Sequence, residues 1–312
     1  MIELSDEYKY KIKKMFGEVG VNWLKTVPDK IEIYIEKFDL KNINIIKDLT
    51  YNVLLFAEND IFGQVVLKLE IPFKELTMRE SRALVLNKGN GACKCFYSNI
   101  DDGILLLERL QPGFSLNSIS NLEDRMKIFF DVSNKFNIKC NDGILPSYRS
   151  ILNRTIEISQ RDNRFNNIKK YIYLSDKLYR EIENEKLEKY LLHSDLHGNN
   201  ILKSGNDWKA IDPHGFIGEK IIDSAIYIQN ELEKYNFNLT QIDEILSLFS
   251  FYTKFTKESL GKILFINYIL NLCWDIEVNL DISKALENAN NIYDYYKTSY
   301  KVKKYNKILE LK

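Results

Sequence analysis

No sign of charge predominates in this chain of 312 residues: 44 lysines and arginines meet 44 aspartates and glutamates, and the formal net charge at pH 7 is zero. A strongly basic balance is the usual mark of polyanion binding, so bulk neutrality argues against a nucleic-acid partner. Cysteine is scarce. Cys93, Cys95, Cys140 and Cys273 include one Cys-x-Cys and no second pair, which implies neither a zinc ribbon nor a disulfide framework and leaves buried or partly buried thiols. Long apolar runs are missing too: the most apolar stretch, Ile263 to Trp274, is interrupted by Asn267 and Asn271 and falls short of the roughly 20 residues a bilayer crossing needs. It reads as a buried helix, with no membrane partner. Met1 to Phe16 mixes Glu3, Asp6 and Glu7 with several lysines around no continuous apolar core, so it does not read as a secretory signal and the expected location is the cytoplasm. There is no internal repeat and no low-complexity tract. A Walker A motif and a Gly-x-Gly-x-x-Gly loop are both absent, which excludes the P-loop route to a nucleotide.

What is present is an ordinary globular composition, 45% hydrophobic and 28% charged, which excludes intrinsic disorder. At about 150 residues per domain the length suggests two domains or one large one. Ser5 followed by acidic residues and ending at Gly17 reads as a capped helix, and Asp29 to Leu40 carries Ile31, Ile35 and Phe38 at helical spacing. From Ile43 to Leu69 the texture changes to strands, clearest in Val65 to Leu69. A helix follows over Glu75 to Leu86, stopping at Gly89, and then Ala92 to Tyr97 pairs with Gly103 to Leu110. Gln111-Pro112-Gly113 breaks the pattern. Beyond it, Leu122 to Phe136, Ile168 to Tyr190, Ile242 to Phe255, Leu260 to Trp274 and Ile282 to Tyr300 are helical by their spacing of three and four, interrupted by a hairpin over Asn200 to Asp212. The expected fold is α+β and bilobal: residues 1–110 form a small strand-rich lobe with leading helices, and residues 111–312 a larger helical lobe.

All three histidines, His193, His197 and His214, fall between Leu192 and Gly215 together with Asp195, Asn199, Asn200 and Asp212. Asn200 lies five positions after Asp195, the Asp-to-Asn interval of a protein-kinase catalytic loop, and Asp212 falls where a metal-binding aspartate would follow. Phosphoryl transfer supplies the reason. A carboxylate must sit beside the acceptor hydroxyl, and hard oxygen donors a few residues on must hold Mg²⁺ against the triphosphate. Asp195 takes the first role as base and positioner, and Asn200 and Asp212 the second. The same chemistry asks for a lysine on a strand to grip phosphates and a glutamate on a neighbouring helix to hold it; Lys68 and Glu80 fit those places. The phosphate-covering turn is expected around Leu49 to Val53, which includes Asn52.

In these motifs the sequence resembles the aminoglycoside phosphotransferases, in the branch of streptomycin 6-phosphotransferases and hydroxyurea-resistance kinases. The likeness is carried by His193-Ser194-Asp195-Leu196-His197-Gly198-Asn199-Asn200-Ile201-Leu202, by Trp208 to Gly215 with Gly218 and Asp223 beyond, by Asp48 to Val53, by Val66-Leu67-Lys68-Leu69, by Glu80 to Leu84 and by Leu105 to Gly113. It runs from about residue 45 to about residue 280. The chain departs from the branch at Ser194, where glycine is usual, and at Gly198-Asn199, where Pro-Gly is frequent.

The resemblance implies a protein-kinase-like fold, a monomer, that moves the γ-phosphate of ATP or GTP, with Mg²⁺, onto a hydroxyl of a small molecule, an aminoglycoside such as streptomycin. It also implies that Glu108 and Leu110 meet the nucleobase through their backbone, that His193 organises the catalytic loop and that Asp223 braces it. Asp275 and Glu277, in a Trp-x-x-Glu-like stretch that begins at Trp274, are its candidates for the acceptor site. Plainer readings stand beside these. Lys68 alone is an exposed strand lysine, Trp208 hairpin packing and Trp274 core. A His/Asp metallohydrolase would use His193, Asp195, His197, Asp212 and His214, but it leaves Lys68 and Glu80 without a purpose. A kinase of another small metabolite or of hydroxyurea, and a nucleotide-binding pseudokinase, complete the alternatives.

Overall fold

The computed structural model describes residues 4–46, 51–71, 73–185, 188–234 and 239–299. In chain order these form α1 (Asp6–Lys37), β1 (Lys41–Ile45), β2 (Val53–Asn59), β3 (Gly63–Leu69), α2 (Lys74–Asn87), β4 (Cys95–Asn99), β5 (Ile104–Glu108) and β6 (Pro112–Ser115). There follow α3 (Leu122–Phe136), α4 (Tyr148–Arg161), α5 (Lys169–Asn184), β7 (Tyr190–Leu192), β8 (Ile201–Ser204), β9 (Asp207–Ala210) and β10 (Phe216–Gly218). Four helices end the described chain: α6 (Ile221–Glu233), α7 (Leu239–Thr253), α8 (Lys257–Glu277) and α9 (Ser283–Ser299).

The chain divides into two compact units, Met1–Ser118 with Ile201–His214, and Ile119–Asn200 with Gly215–Lys312. This differs from a single cut after residue 110. The reason lies in backbone pairing: β6 pairs antiparallel with β8, and β9 ends with Ala210 N–H donating to Gly91 O at 2.8 Å while Cys93 N–H donates to Ala210 O at 2.9 Å. The hairpin β8–β9 therefore belongs to the strand-rich unit.

In the first unit a five-stranded sheet runs β1-β2-β3-β5-β4, and β6, β8 and β9 make a second, three-stranded sheet. Strand alternation assigns the faces of the larger sheet. Val53, Leu55 and Ala57 of β2, Val65, Leu67 and Leu69 of β3, and Ile104 and Leu106 of β5 pack with Tyr8, Ile12, Trp23, Val27, Ile31 and Tyr34 of α1. Leu54, Phe56, Val66, Lys68 and Leu107 face the other way and line a cavity. Ser5 caps α1 by accepting the Tyr8 N–H at 3.2 Å. Gly17, at φ 54 and ψ −136, bends the helix, but the chain stays helical beyond it and through Pro28, where the sequence reading had placed a gap. α2 ends at Lys88 in the left-handed region, one residue before the expected Gly89 stop.

In the second unit α8 is buried on nearly every side, packed against α5, α6, α7 and α9, as a helix apolar all round must be. Trp274 near its end is 51% exposed, not core as its sequence setting suggested. The helix expected over Ile168 to Tyr190 ends at Asn184, and Tyr190 begins β7, which pairs with β10. α4 and α6 were not anticipated. The expected extension of the last helix to Tyr300, and Leu49 and Thr50 of the expected phosphate turn, lie outside the described residues. No described helix is long and apolar enough to cross a membrane.

Candidate active site

The candidate side chains form two groups, one in each unit. In the first, Lys68 is carried on the cavity face of β3 and is 3% exposed. Its Nζ lies 2.5 Å from Glu80 Oε2 of α2, 2.7 Å from Asp212 Oδ1 just beyond β9, and 3.3 Å from Glu70 Oε1. Burial alone would push this ammonium's pKa down, but Asp212, Glu80 and Glu70 outweigh it and hold the pKa well above its usual value, so Lys68 stays charged. Burial raises the Glu80 carboxyl well above the ordinary range, against the pull of Lys68. Sequence reasoning found Lys68, Glu80 and Asp212 and passed over Glu70. Its only signal was the two-residue spacing from Lys68, which puts both side chains on one face of the strand.

Lys68 forms the polar end of a cavity of about 700 Å³. Its walls are apolar, from Leu54, Phe56, Val66, Leu107, Leu202 and Ile211, and residues Glu108 to Gly113 edge it. The Glu108 carboxylate is held elsewhere, accepting from Lys209 Nζ at 2.7 and 2.9 Å and from the Lys94 N–H at 3.0 Å. The Glu108 and Arg109 N–H groups donate to Lys94 O and Gln64 O. The Leu110 N–H has no backbone partner among the described residues. Asn52 lies in the bend before β2, half-buried.

In the second unit a loop follows β7. His193 is fully buried, its ring 5.2 Å from that of Phe136, and its Nδ1 accepts the Asp195 N–H at 3.3 Å. Asp223, in the first turn of α6 and also fully buried, accepts from His193 N–H at 3.0 Å, Ser194 N–H at 2.8 Å and Asn137 Nδ2 at 2.8 Å. Burial raises the Asp223 pKa, and the three donors oppose that rise. Asn137 also donates to Leu191 O at 2.9 Å and accepts from Ser133 Oγ at 2.8 Å. It is a loop support that sequence reasoning missed, since it acts from the end of a helix far away in the chain.

Asp195 remains partly open, its side chain 35% exposed. Asn200 reaches it across the turn, with Nδ2 2.9 Å from Asp195 O and 3.0 Å from Oδ2. That commitment leaves the Asn200 Oδ1 as an acceptor with no partner among the described residues. Asp212 has a side chain 46% exposed. An amide oxygen and an accessible carboxylate are each a hard donor of the kind Mg²⁺ prefers, so each residue by itself has chemistry suited to the ion. They fit zinc poorly: His193 Nδ1 and His197 Nδ1 are occupied by the N–H groups of Asp195 and Asn199, and no three His, Cys, Asp or Glu side chains converge as a metal site among the described residues.

The candidate acceptor residues lie at the end of α8. Glu277 is held by Arg154 in a two-pronged pair at 3.0 and 2.6 Å. Burial raises the Asp275 pKa, and Trp274 stands exposed beside it in the chain.

A family model described as aminoglycoside/hydroxyurea antibiotic resistance kinase matches residues 62–261. No curated protein matches the sequence. Among solved structures, the choline kinase LicA from Streptococcus pneumoniae is 13% identical, with a TM-score of 0.61 over 86% of this chain and 99% of that one. The amicoumacin kinase hAmiN, in complex with AMP-PNP, Ca²⁺ and Ami, is 11% identical, with a TM-score of 0.60 over 87% and 94%. The aminoglycoside phosphotransferase APH(4)-Ia is 12% identical, with a TM-score of 0.58 over 88% and 99%. At such identities these likenesses speak for the fold, which is protein-kinase-like.

Proposed function

From the premise that this chain belongs to the aminoglycoside/hydroxyurea antibiotic resistance kinase family, and is thus a small-molecule phosphotransferase, we propose that it moves the γ-phosphoryl group of ATP or GTP to a hydroxyl of an aminoglycoside such as streptomycin. The observation that carries this reading is Lys68: a buried ammonium held by Glu80 and Asp212 at the end of an apolar cavity. The cavity suits a nucleobase and ribose, and the cation suits the phosphates beyond them. The uncommitted Leu110 N–H is the group to meet the base, whereas Glu108 has its carboxylate tied to Lys209 and its N–H to Lys94 O.

Asn200 and Asp212 are the residues to hold Mg²⁺, which when bound would neutralise charge on the phosphates. Asp195 orients the acceptor hydroxyl and accepts its proton at a carboxylate oxygen. Asn200 Nδ2 fixes the rotamer of that carboxylate, and the loop beneath it hangs on Asp223. Because the transition state is loose, positioning carries most of this work. A polycationic acceptor needs anions, and Asp275 is the acceptor-site candidate whose carboxylate has no partner among the described residues; Glu277 would first have to leave Arg154. The exposed Trp274 indole also suits an ammonium group, which keeps a choline-like amino alcohol as a second acceptor class.

The test is an ADP-release screen of the purified protein across aminoglycosides, hydroxyurea, choline and small hydroxylated metabolites, with mass spectrometry of the product. Streptomycin-dependent release with a phosphate added to the drug is expected. Release with choline alone would move the acceptor to the second class, and release with no acceptor at all would defeat the reading. Asp195→Ala should lower kcat by about 10²- to 10⁴-fold while nucleotide affinity stays nearly intact; undiminished turnover would remove the role assigned to Asp195.

A further inference from the structure

A lysine that grips phosphate in a kinase-like lobe needs one helix-borne glutamate to hold it, yet Lys68 has a second buried glutamate at hand. Glu70 is 6% exposed and sits two residues along the same strand edge, with Oε1 3.3 Å from Lys68 Nζ. Its other oxygen, Oε2, and Glu80 Oε1 are both fully buried and have no hydrogen-bond donor among the described residues. A buried carboxylate oxygen without a donor is costly. Its presence beside the ammonium therefore asks for a role in holding it.

The two glutamates are placed by different parts of the unit. Glu80 rides on α2, so its distance from Lys68 is set by how that helix packs on β4 and β5. Glu70 follows β3 directly, and β3 is fixed on both sides by β2 and β5. The Glu70 N–H donates to Gly103 O at 2.7 Å, which ties its backbone to the turn before β5. Arg79, the residue before Glu80, adds a second positive charge in the field of Glu70.

We propose that Glu70 is a second, strand-borne anchor of Lys68, sharing with Glu80 the task of holding the ammonium where it meets the nucleotide phosphates. Asp212 is the exposed partner of the three, and when it turns to other work the ammonium keeps two buried carboxylates. Lys68 is then insulated from displacements of α2, because one anchor moves with the helix and the other does not. Glu70 acts through Lys68 and is a positioning residue. The proposal rests on the reading of Lys68 as the phosphate grip.

The test is a mutant cycle read by the dissociation constant of AMP-PNP with Mg²⁺, measured by calorimetry on the full chain, with kcat, KM and thermal unfolding recorded for each variant. Glu70→Gln and Glu80→Gln should each weaken binding by about 3- to 10-fold, the net worth of one ordinary polar contact. They should raise KM for nucleotide more than they lower kcat. The double variant should lose more than the product of the two, since each glutamate covers for the other. In a Lys68→Met background Glu70→Gln should have no further effect. Should Glu70→Gln fail to fold, Glu70→Leu, which removes the carboxylate and leaves no buried polar group, enters the same cycle. Glu80→Gln costing as much as the double variant, or a Glu70 effect undiminished in Lys68→Met, would overturn the proposal. Lys68→Met binding AMP-PNP as tightly as the parent would instead overturn the reading of Lys68 beneath it.

Discussion

Asp223→Asn is the sharpest probe of how the catalytic loop is held, because it changes one atom's chemistry and almost no volume. The native carboxylate accepts three hydrogen bonds, two on Oδ2 from His193 N–H and Asn137 Nδ2 and one on Oδ1 from Ser194 N–H. An asparagine has one carbonyl. If it takes the Oδ2 place, its amide N–H₂ faces the Ser194 N–H, donor against donor; the flipped amide faces two donors instead. Leaving a buried donor unsatisfied costs about 1–3 kcal/mol. The surviving bonds lose the charge assistance that makes such bonds roughly twice as strong as neutral ones. Against this stands the relief of a buried charge, whose raised pKa shows that burial already works against it.

The net expectation is a loss of about 3 kcal/mol, which at about 2–4 °C per kcal/mol for a unit of this size lowers the melting temperature by about 6–12 °C. Ser194 sits at φ 60, in the left-handed region that costs a non-glycine residue energy, and the Asp223 bond to its N–H is what holds it there. Loosening that residue moves Asp195, so kcat should fall by about 10- to 100-fold with KM for nucleotide little changed. Thermal melts and steady-state kinetics on the same preparation read both. A variant that melts with the parent and turns over at the parental rate would refute the argument that this buried carboxylate carries the loop.

Gly103→Ala should be damaging for a reason of geometry: at φ 70 a side chain is strained, and the added Cβ would lie 2.8 Å from the Glu70 carbonyl oxygen. A loss of about 2–3 kcal/mol with a raised KM for nucleotide is expected, and a neutral variant would show that the Glu70 backbone is not fixed by this turn. Glu231→Gln breaks a buried pair in which Arg125 Nη2 reaches Glu231 Oε2 at 2.6 Å; urea titration at pH 7 should show a cost of about 3–5 kcal/mol. Burial would raise the Glu231 pKa, but Arg125 and Lys234 overcome it and hold it below the ordinary value. The pair's stabilisation is therefore full above the unfolded pKa and is lost as pH falls through the lower folded one. The gap between the two proteins should close in that acid window, and a gap that persists there would contradict the assignment. Asp212→Asn and Asn200→Ala should each raise the Mg²⁺ concentration needed for half-maximal ADP release by about tenfold, and an unchanged requirement would remove them as ligands.

Much of the candidate site was legible in sequence because its parts are local. Asp195 and Asn200 meet across a single turn, so their interval alone encodes the contact, and Lys68 announces itself as a charge on the open face of an alternating strand. The helix Leu122–Phe136 was read to the residue, with Asn121 accepting the Asp124 N–H as its cap. Two helices escaped for opposite reasons. α6 is buried on so many sides that it has no polar face to set a period, while α4 buries Thr155 and Ser159 in its inward stripe, which hides the stripe from a count of apolar residues.

Sequence by itself determined which candidate groups the site holds and in what order, since loop spacing, strand alternation and helix caps are properties of a few consecutive residues. Tertiary structure alone decided which of them are joined: that Lys68 has three carboxylates around it, that Glu108 is spoken for by Lys209, that Glu277 is bound to Arg154 and that Asn137 and Asp223 carry the loop from below. Apart from Glu70 and Glu80, which lie near Lys68 in the chain, those contacts join residues dozens of positions apart or more, and only the packing of elements brings such partners within the few ångströms at which charge and hydrogen bonding act.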